Sequence, residues 1–165
     1  MISKRKLKKK IAKNREEIVM TVPSFINQLL LLLNSGVVLS DAFCQIAKNY
    51  GSLQEKRKNY FTEEVHKIYE KSQKTGENVI TQFFYFSKKA NVKELSRVAG
   101  IMVEGQKKGS DLWDKLAEQG EYLWAERKRA ALRKIRLAES KMSFPLGFFL
   151  GALLIMTAAP ALMQI

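Results

Sequence analysis

Residues 143–165 read SFPLGFFLGALLIMTAAPALMQI and contain no charged side chain. The apolar run from Phe144 to Met163 would form a helix of about 30 Å at ~1.5 Å rise per residue, which matches the hydrocarbon core of a bilayer. The residues before this run are polar and strongly basic. The sequence therefore predicts three parts: a basic cytosolic leader over residues 1–20, a helical cytosolic domain over residues 21–142, and a transmembrane helix with a short tail over residues 143–165.

The positive charge is concentrated in two clusters. The formal net charge is +13, from 29 Lys and Arg against 16 Asp and Glu. The first cluster lies within residues 1–15, which contain no acid, and the second directly precedes the apolar run. Its members are Arg127, Lys128, Arg129, Arg133, Lys134, Arg136 and Lys141. Cations this close to a span hold their flank in the cytoplasm, so we expect a single-pass membrane protein with a cytoplasmic N-terminal domain. The leader lacks the apolar core of a secretory signal, so we expect no cleavage there.

Few residues with reactive chemistry occur in this sequence. The single cysteine, Cys44, excludes an internal disulfide, and the single histidine, His66, offers too few donors for a zinc site. We expect Cys44 to be a small core residue and His66 to be solvated. Glu104 lies beside a glycine-bearing turn, where a salt bridge at a helix end is its simplest role. No P-loop, GxSxG or HExxH motif occurs, so we expect no enzymatic activity and no cofactor.

A basic chain can also bind nucleic acid. Here the second cluster lies next to the apolar run, where anionic lipid already accounts for it. The sequence has no zinc-finger spacing and no aromatic motif of the RNP type. We therefore expect no nucleic-acid partner, and salt-sensitive retention on DNA by residues 1–142 would reveal a recognition helix that this reasoning overlooked.

Apolar residues at helical spacing predict six helices, with no sustained alternation typical of strands. The expected fold is all-α, a six-helix cytosolic bundle of two similar halves followed by the C-terminal transmembrane helix. The apolar run Leu29–Leu33 is too short to span and is expected in a buried core helix. In the sixth helix we expect Trp113 and Trp124 to face inward, and we expect this helix to continue to Pro145.

Local signals predict where these helices begin and end. Start signals are Thr21-Val22-Pro23, Ser40 as an N-cap with Asp41 in the first turn, Asn78, Asn91 with Glu94 as a capping box, and Ser110-Asp111. End signals are Gly51, Gly76, and the pair Gly105 and Gly109.

A weak internal repeat relates the two predicted halves. Ser40-Asp41-Ala42-Phe43 corresponds to Ser110-Asp111-Leu112-Trp113 at a fixed offset of 70 residues. Each copy follows a glycine turn, Gly36 in the first and Gly105 to Gly109 in the second. Any capped amphipathic helix would show a similar pattern, but the repeat favours two similar helical halves.

Gly147 and Gly151 form a GxxxG pair inside the apolar run, just after Pro145. This spacing lets helix backbones approach closely in lipid. We therefore expect these residues to pack against a second copy or another membrane subunit.

The order of these features resembles the type II secretion system F domain family. Gly36, Leu39, Ala42 and Phe43 match its G-x-x-L-x-x-A-[LF] turn, and Lys141 with Pro145 matches its Lys-x-x-x-Pro entry to the span. The later glycine turn and amphipathic helix match Gly105, Gly109, Leu112 and Leu116. The similarity covers about residues 20 to 163.

The resemblance implies a non-enzymatic platform subunit of a type II secretion, type IV pilus or Tad-like pilus machine, located in the bacterial plasma (inner) membrane. Its implied partners are membrane lipid, other copies of itself, a cytosolic secretion ATPase, and pilin or pseudopilin subunits. Platform proteins of the family normally carry additional spans, so a second platform membrane protein is a further expected partner. The alternative is a tail-anchored membrane adaptor or regulator without a transport role, and neighbouring genes for an ATPase and prepilins would distinguish the two.

Overall fold

The computed structural model describes the backbone of residues 2–108 and 111–163, and the side chains of residues 4–108, 111–136, 147–161 and 163. Within these ranges the chain is all-α, with six α-helices, a short 3₁₀ helix at Glu55–Arg57 and no strand. The helices are α1 (Ile2–Asn34), α2 (Leu39–Gly51), α3 (Tyr60–Thr75), α4 (Val79–Ala90), α5 (Lys93–Lys108) and α6 (Leu112–Met163). The chain divides into two compact units: unit 1 is Met1–Trp124 and unit 2 is Ala125–Ile165. The predicted all-α class is confirmed.

The core of unit 1 is built around four phenylalanines from four helices. Phe25, Phe43, Phe61 and Phe83 are fully buried. Their ring centroids lie 5.3 to 5.9 Å apart in the closest pairs, mostly edge to face. Each buried phenylalanine contributes about 1.5–3 kcal/mol through removal from water, and the edge-to-face pairs add to this. This cluster joins α1, α2, α3 and α4 in one core.

The predicted core helix over Leu29–Leu33 is confirmed as part of α1, but its predicted start at Thr21–Pro23 is wrong. The helix begins at Ile2 and contains Pro23 in its interior. Proline there removes one backbone hydrogen bond, a loss that packing offsets because Val22, Phe25 and Ile26 are all buried. The proline signal is local and does not outweigh these tertiary contacts.

Two side-chain hydrogen bonds join the middle of α1 to the start of α3. The backbone N–H of Tyr60 donates to Glu17 Oε2 at 2.7 Å, and Asn59 Nδ2 donates to Thr21 Oγ1 at 2.9 Å. Asn59 also forms a capping box with Thr62. The Glu17 carboxylate therefore lies at the positive end of the α3 dipole, where a negative charge is stabilising.

Two predicted caps are wrong. Ser40 lies inside the first turn of α2, whose N-cap is Val38 without a side-chain hydrogen bond; Asp41 does occupy the first turn as predicted. Asn91 is the left-handed C-cap of α4, with φ +52°, so it does not cap α5. Asparagine tolerates this backbone conformation, so the same residue suits either role.

The first segment of α6 runs antiparallel to α5 within unit 1. Glu104 pairs with Lys115 near the start of α6, and the Arg97 guanidinium lies 6.0 Å from the Tyr122 ring centre further along. Leu116, Gln119 and Leu123 are buried. A Cβ on Gly120 would lie 3.1 Å from Ile26 Cγ2, so glycine lets α6 lie close to α1.

The two tryptophans of α6 do not face inward as predicted. Trp113 is 49% exposed and Trp124 is 44% exposed. The inward positions belong to Gln119 and Gly120 together with the leucines, and the small glycine brings α6 close to its neighbour. Apolar character alone was an insufficient guide to the buried face of α6.

Unit 2 consists of the remaining length of α6. The helix is continuous to Met163, as the sequence predicted for its basic segment. Nearly all the described side chains of this unit are exposed, including Phe148, Phe149, Ile155 and Met156 at 72% or more. Such apolar side chains have no protein core of their own to pack against.

Candidate functional site

The described residues contain no group of three or more His, Cys, Asp or Glu side chains placed to hold a metal ion. Cys44 is half-buried against the core, and burial, followed by the nearby Asp41 carboxylate, raises the pKa of its thiol. A raised pKa keeps the thiol protonated and poorly nucleophilic. Cys44 is therefore a small packing residue, as predicted. The candidate site is a set of interaction surfaces.

His66 is not solvated as predicted, because it joins α3 to the end of α2. Its Nδ1 lies 3.0 Å from the Ala47 carbonyl oxygen, and its Nε2 lies 3.6 Å from Glu70 Oε1. A Cβ on Gly51 would lie only 2.3 Å from the imidazole ring. Gly51 ends α2 as predicted, and here it also makes room for the ring.

The predicted turn after α1 forms at Gly36. The glycine has φ +88°, a conformation that favours glycine. Its N–H donates to the Leu33 carbonyl at 3.0 Å and the Val37 N–H donates to the Leu32 carbonyl at 3.1 Å. This pair of bonds is a Schellman motif, and it ends α1.

The second predicted turn region, near Gly105, is a close helix contact. Gly105 lies inside α5, and a Cβ there would be 2.5 Å from Leu112 Cδ1 and 2.9 Å from Leu112 Cβ. Glu104 Oε2 forms an ion pair with Lys115 Nζ at 3.2 Å, as expected for a helix end. Asp111 precedes α6, and its carbonyl accepts from the Lys115 N–H. Gly109 and Ser110 lie outside the described residues.

Three helix connections meet at one end of unit 1. Gln106 Nε2, near the end of α5, donates to Ser40 Oγ at 3.0 Å and reaches Asn78 Oδ1 at 3.5 Å. Asn78 caps α4, as predicted, by accepting from the backbone N–H groups of Ile80 and Thr81. We call this the turn end of unit 1; it holds the start of α2, the start of α4 and the end of α5.

An exposed apolar groove lies at the turn end. It has a volume of about 330 Å³ and is lined by Asn27, Leu30, Leu31, Asn34 and Trp113. Leu31 is 71% exposed and Trp113 is 49% exposed. Tryptophan is among the residues that most often anchor protein interfaces, and Leu31 adds exposed apolar surface beside it. Sequence reasoning missed this surface because it assigned Trp113 to the core.

The predicted packing glycines of unit 2 are open on all sides. A Cβ at Gly147 or Gly151 would meet nothing within 4 Å. The side chain of Pro145 lies outside the described residues. Among the described residues, nothing packs against these two glycine positions, and their packing role stays a prediction.

One helix is long and apolar enough by length and hydropathy to cross a bilayer, among the residues that the structure describes. It is the Lys4–Asn34 part of α1, and a third of its most apolar window is buried. The second apolar stretch, Gly147–Ala161 in α6, is below the usual span length within the same described residues. The predicted span extends beyond this stretch on both sides.

Comparison with known protein families gives one match over most of the chain. Residues 25–160 match the family described as "Type II secretion system (T2SS), protein F". The chain belongs to this family. No curated protein and no solved structure matches the chain.

The type II secretion F match extends from the core segment of α1 into the apolar part of α6. It therefore includes the Gly36 turn, the groove residues and the GxxxG pair in one family segment. Proteins of this family are structural platform subunits of the inner membrane in secretion and pilus systems. The predicted family is confirmed.

Proposed function

We propose that this protein is a non-enzymatic platform subunit that couples a cytosolic secretion ATPase to the assembly of pilin or pseudopilin subunits in the membrane. The family match over residues 25–160 carries the proposal. The described residues support it, because they present large exposed apolar side chains in both units that a partner or lipid could cover.

The proposed topology places residues 143–165 in the membrane once, with residues 1–20 as a cytosolic leader and residues 21–142 as the cytosolic domain. The exposed apolar side chains of unit 2 support a lipid environment, since none of the described residues covers Phe149 or Ile155. Arg133 and Arg136 are among the basic residues that precede them, and such residues favour the cytoplasmic side.

The ATPase would bind at the groove of the turn end. Leu31 and Trp113 supply apolar anchors there, and Asn27 and Asn34 supply polar groups at its edge. A central aromatic anchor with a polar rim is the common arrangement of a binding hot spot. The groove belongs to the cytosolic domain in the proposed topology, so a cytosolic partner could reach it.

Assembly into an oligomeric platform would use Gly147 and Gly151. Both glycines leave open space on the helix surface, where another helix could approach closely. Replacing both by isoleucine should weaken self-association or association with a second membrane subunit. Unchanged crosslinking between subunits in membranes would remove this part of the proposal.

The main test is affinity capture of the full chain from its native membranes in several mild detergents, followed by identification of its partners. We expect a secretion ATPase in the wild-type sample and a loss of about tenfold or more with the Trp113→Ala and Leu31→Ala double variant, because truncating a hot-spot residue costs at least about 2 kcal/mol. Val38→Ala is the matched control, since Val38 is equally exposed but does not line the groove. Absence of an ATPase under every condition would contradict the proposal.

A further inference from the structure

The first three turns of α1 form an exposed basic arm. Residues 4–13 are all exposed, and residues 4–15 contain eight cations and no acid. The cations are Lys4, Arg5, Lys6, Lys8, Lys9, Lys10, Lys13 and Arg15. We define the basic arm as residues 4–15, in which every side chain except the partly buried Asn14 is exposed.

Two large apolar residues interrupt this charge on one side of the helix. Leu7 is 60% exposed and Ile11 is 45% exposed, and the two lie one helical turn apart. Ile18 and Val22 lie further along the same side of α1, and both are buried in the core. The core-facing stripe of α1 therefore continues into the basic arm, where none of the described residues covers Leu7 or Ile11.

The arm extends from a fixed point of unit 1. Glu17 and Thr21 bind the start of α3 through hydrogen bonds of 2.7 and 2.9 Å, immediately after Arg15. Ile18 is buried between them. The direction of the arm is thereby set by the core of unit 1, so its exposed side is presented in a defined orientation.

We propose that the basic arm lies on an anionic phospholipid surface, with Leu7 and Ile11 inserted between headgroups. Charge complementarity supports lipid, because the eight cations surround the helix and so do not form one face that would match a folded acidic protein. A plane of headgroups accepts such an arrangement, since long basic side chains on both flanks reach the phosphates while the apolar side enters the interface. With eight cations the arm lies on the bilayer and does not cross it.

This proposal rests on the proposed membrane location, and it adds a second contact with the bilayer besides the apolar part of α6. Each Lys or Arg near an anionic surface strengthens attachment about fivefold. Two apolar residues alone give weak insertion, and the charges make it dependent on anionic lipid.

The test uses the full chain reconstituted in vesicles of phosphatidylcholine alone or with phosphatidylglycerol in both leaflets. A Leu7→Cys variant in a Cys44→Ala background carries an environment-sensitive fluorophore, and Val38→Cys in the same background is the control. We expect a blue shift and protection from acrylamide at position 7 only with phosphatidylglycerol. Both effects should disappear at about 1 M salt, where the screening length falls to about 3 Å.

Two triple charge-reversal variants, one within the arm and one outside it, make the test specific. Lys8→Glu, Lys9→Glu and Lys10→Glu together should abolish the blue shift at position 7. Lys89→Glu, Lys107→Glu and Lys108→Glu change the net charge equally at exposed sites outside the arm and should leave it intact.

The proposal would be overturned if the label at position 7 shows no blue shift and no protection from acrylamide in phosphatidylglycerol vesicles. It would also be overturned if protection appears only when an acidic protein partner is added. The membrane location is tested separately by washing the membranes with alkaline carbonate, which removes proteins that do not span the bilayer. If the chain is washed off, the proposed topology fails, but the arm still predicts flotation with phosphatidylglycerol vesicles and not with phosphatidylcholine vesicles.

Discussion

Units 1 and 2 contain apolar residues in two contrasting environments. In unit 1 the large apolar side chains converge, and Phe25, Phe43 and Phe83 are fully buried. In unit 2 Phe148 and Phe149 are 76% and 73% exposed on a single helix. Unit 1 therefore obtains its stability from its own core, whereas unit 2 requires lipid or other subunits to cover its apolar surface. The contrast separates a domain with its own apolar core from a helix whose described apolar side chains are exposed.

The largest expected effect comes from placing charge in unit 2. Phe149→Lys with Ile155→Lys should release the chain from the membrane, because each lysine near the centre of a span costs about 3 kcal/mol. Leu31→Lys with Tyr85→Lys is the control, since these positions are equally exposed but belong to unit 1. Alkaline carbonate extraction measures the integrally bound fraction, because flotation would also report the proposed attachment of the basic arm. If the unit 2 variant stays in the membrane as firmly as the control, unit 2 is not the span.

The next effect tests the core of unit 1. Phe83→Ala should lower the free energy of unfolding by about 3–5 kcal/mol, because it leaves a cavity among Phe25, Phe43 and Phe61. Both tryptophans lie in unit 1, so their fluorescence during urea titration in mild detergent follows this unit. Tyr85→Ala, on the exposed side of the same helix, should change stability by less than about 0.5 kcal/mol. Equal effects of the two variants would contradict the described core.

A smaller effect compares two glycines of α5. Gly105→Ala should destabilise unit 1 by about 1–3 kcal/mol, since the new Cβ would overlap Leu112. Gly100→Ala has open space and should stabilise the helix by about 0.5–1 kcal/mol. The same urea titration distinguishes them, and a stabilising Gly105→Ala would show that α5 and α6 do not pack this closely.

The smallest effect concerns the buried hydroxyl of Tyr50. Burial raises its pKa to about 12, with a weaker opposing contribution from Gln28, and the hydroxyl has no hydrogen bond of good geometry. Tyr50→Phe should therefore stabilise unit 1 at pH 8 by about 1 kcal/mol.

The pH dependence gives an independent check on Tyr50. The unfolded chain loses the Tyr50 proton near pH 10 and the folded chain only near pH 12, so the folded state has its full stability below pH 10 and loses stability relative to the unfolded state as the pH rises between these values. At pH 11 the free energy of unfolding of the wild type should have fallen by about 1.4 kcal/mol more than that of Tyr50→Phe, because one pH unit changes the free energy by about 1.4 kcal/mol for each proton released. Tyr85→Phe should follow the wild type. Identical pH dependence in the wild type and Tyr50→Phe would show that the hydroxyl is solvated.

Much of this fold could be predicted from local sequence. Gly76 ends α3 because it adopts a left-handed backbone conformation. Asn78 begins α4 because its side chain accepts hydrogen bonds from backbone N–H groups in the first turn of that helix. The apolar stripe of α5 also identified its buried residues Leu95, Val98 and Met102, since helical spacing alone decides which side chains share a face.

Features set by contacts between helices could not be predicted in this way. The continuation of α1 through Pro23 depends on the burial of Val22, Phe25 and Ile26 among the other helices, and the position of His66 depends on the open space beside Gly51. The groove arises because Leu31 and Trp113 come from helices far apart in sequence. A run of five leucines has no polar side, so its exposed member could not be identified from spacing.

The platform role requires the basic and apolar parts of α6 to act as one rigid element. Insertion of a flexible Gly-Ser segment after Met142 tests this directly, in cells where this chain is the only copy, with surface delivery of pilin or pseudopilin as the readout. The same segment inserted after Gln54, in the exposed connection after α2, is the control. We predict that the Met142 insertion abolishes delivery while the chain remains in the membrane, and that the Gln54 insertion preserves it. Full delivery with the Met142 insertion would contradict coupling through α6 and leave the apolar helix as a simple membrane tether.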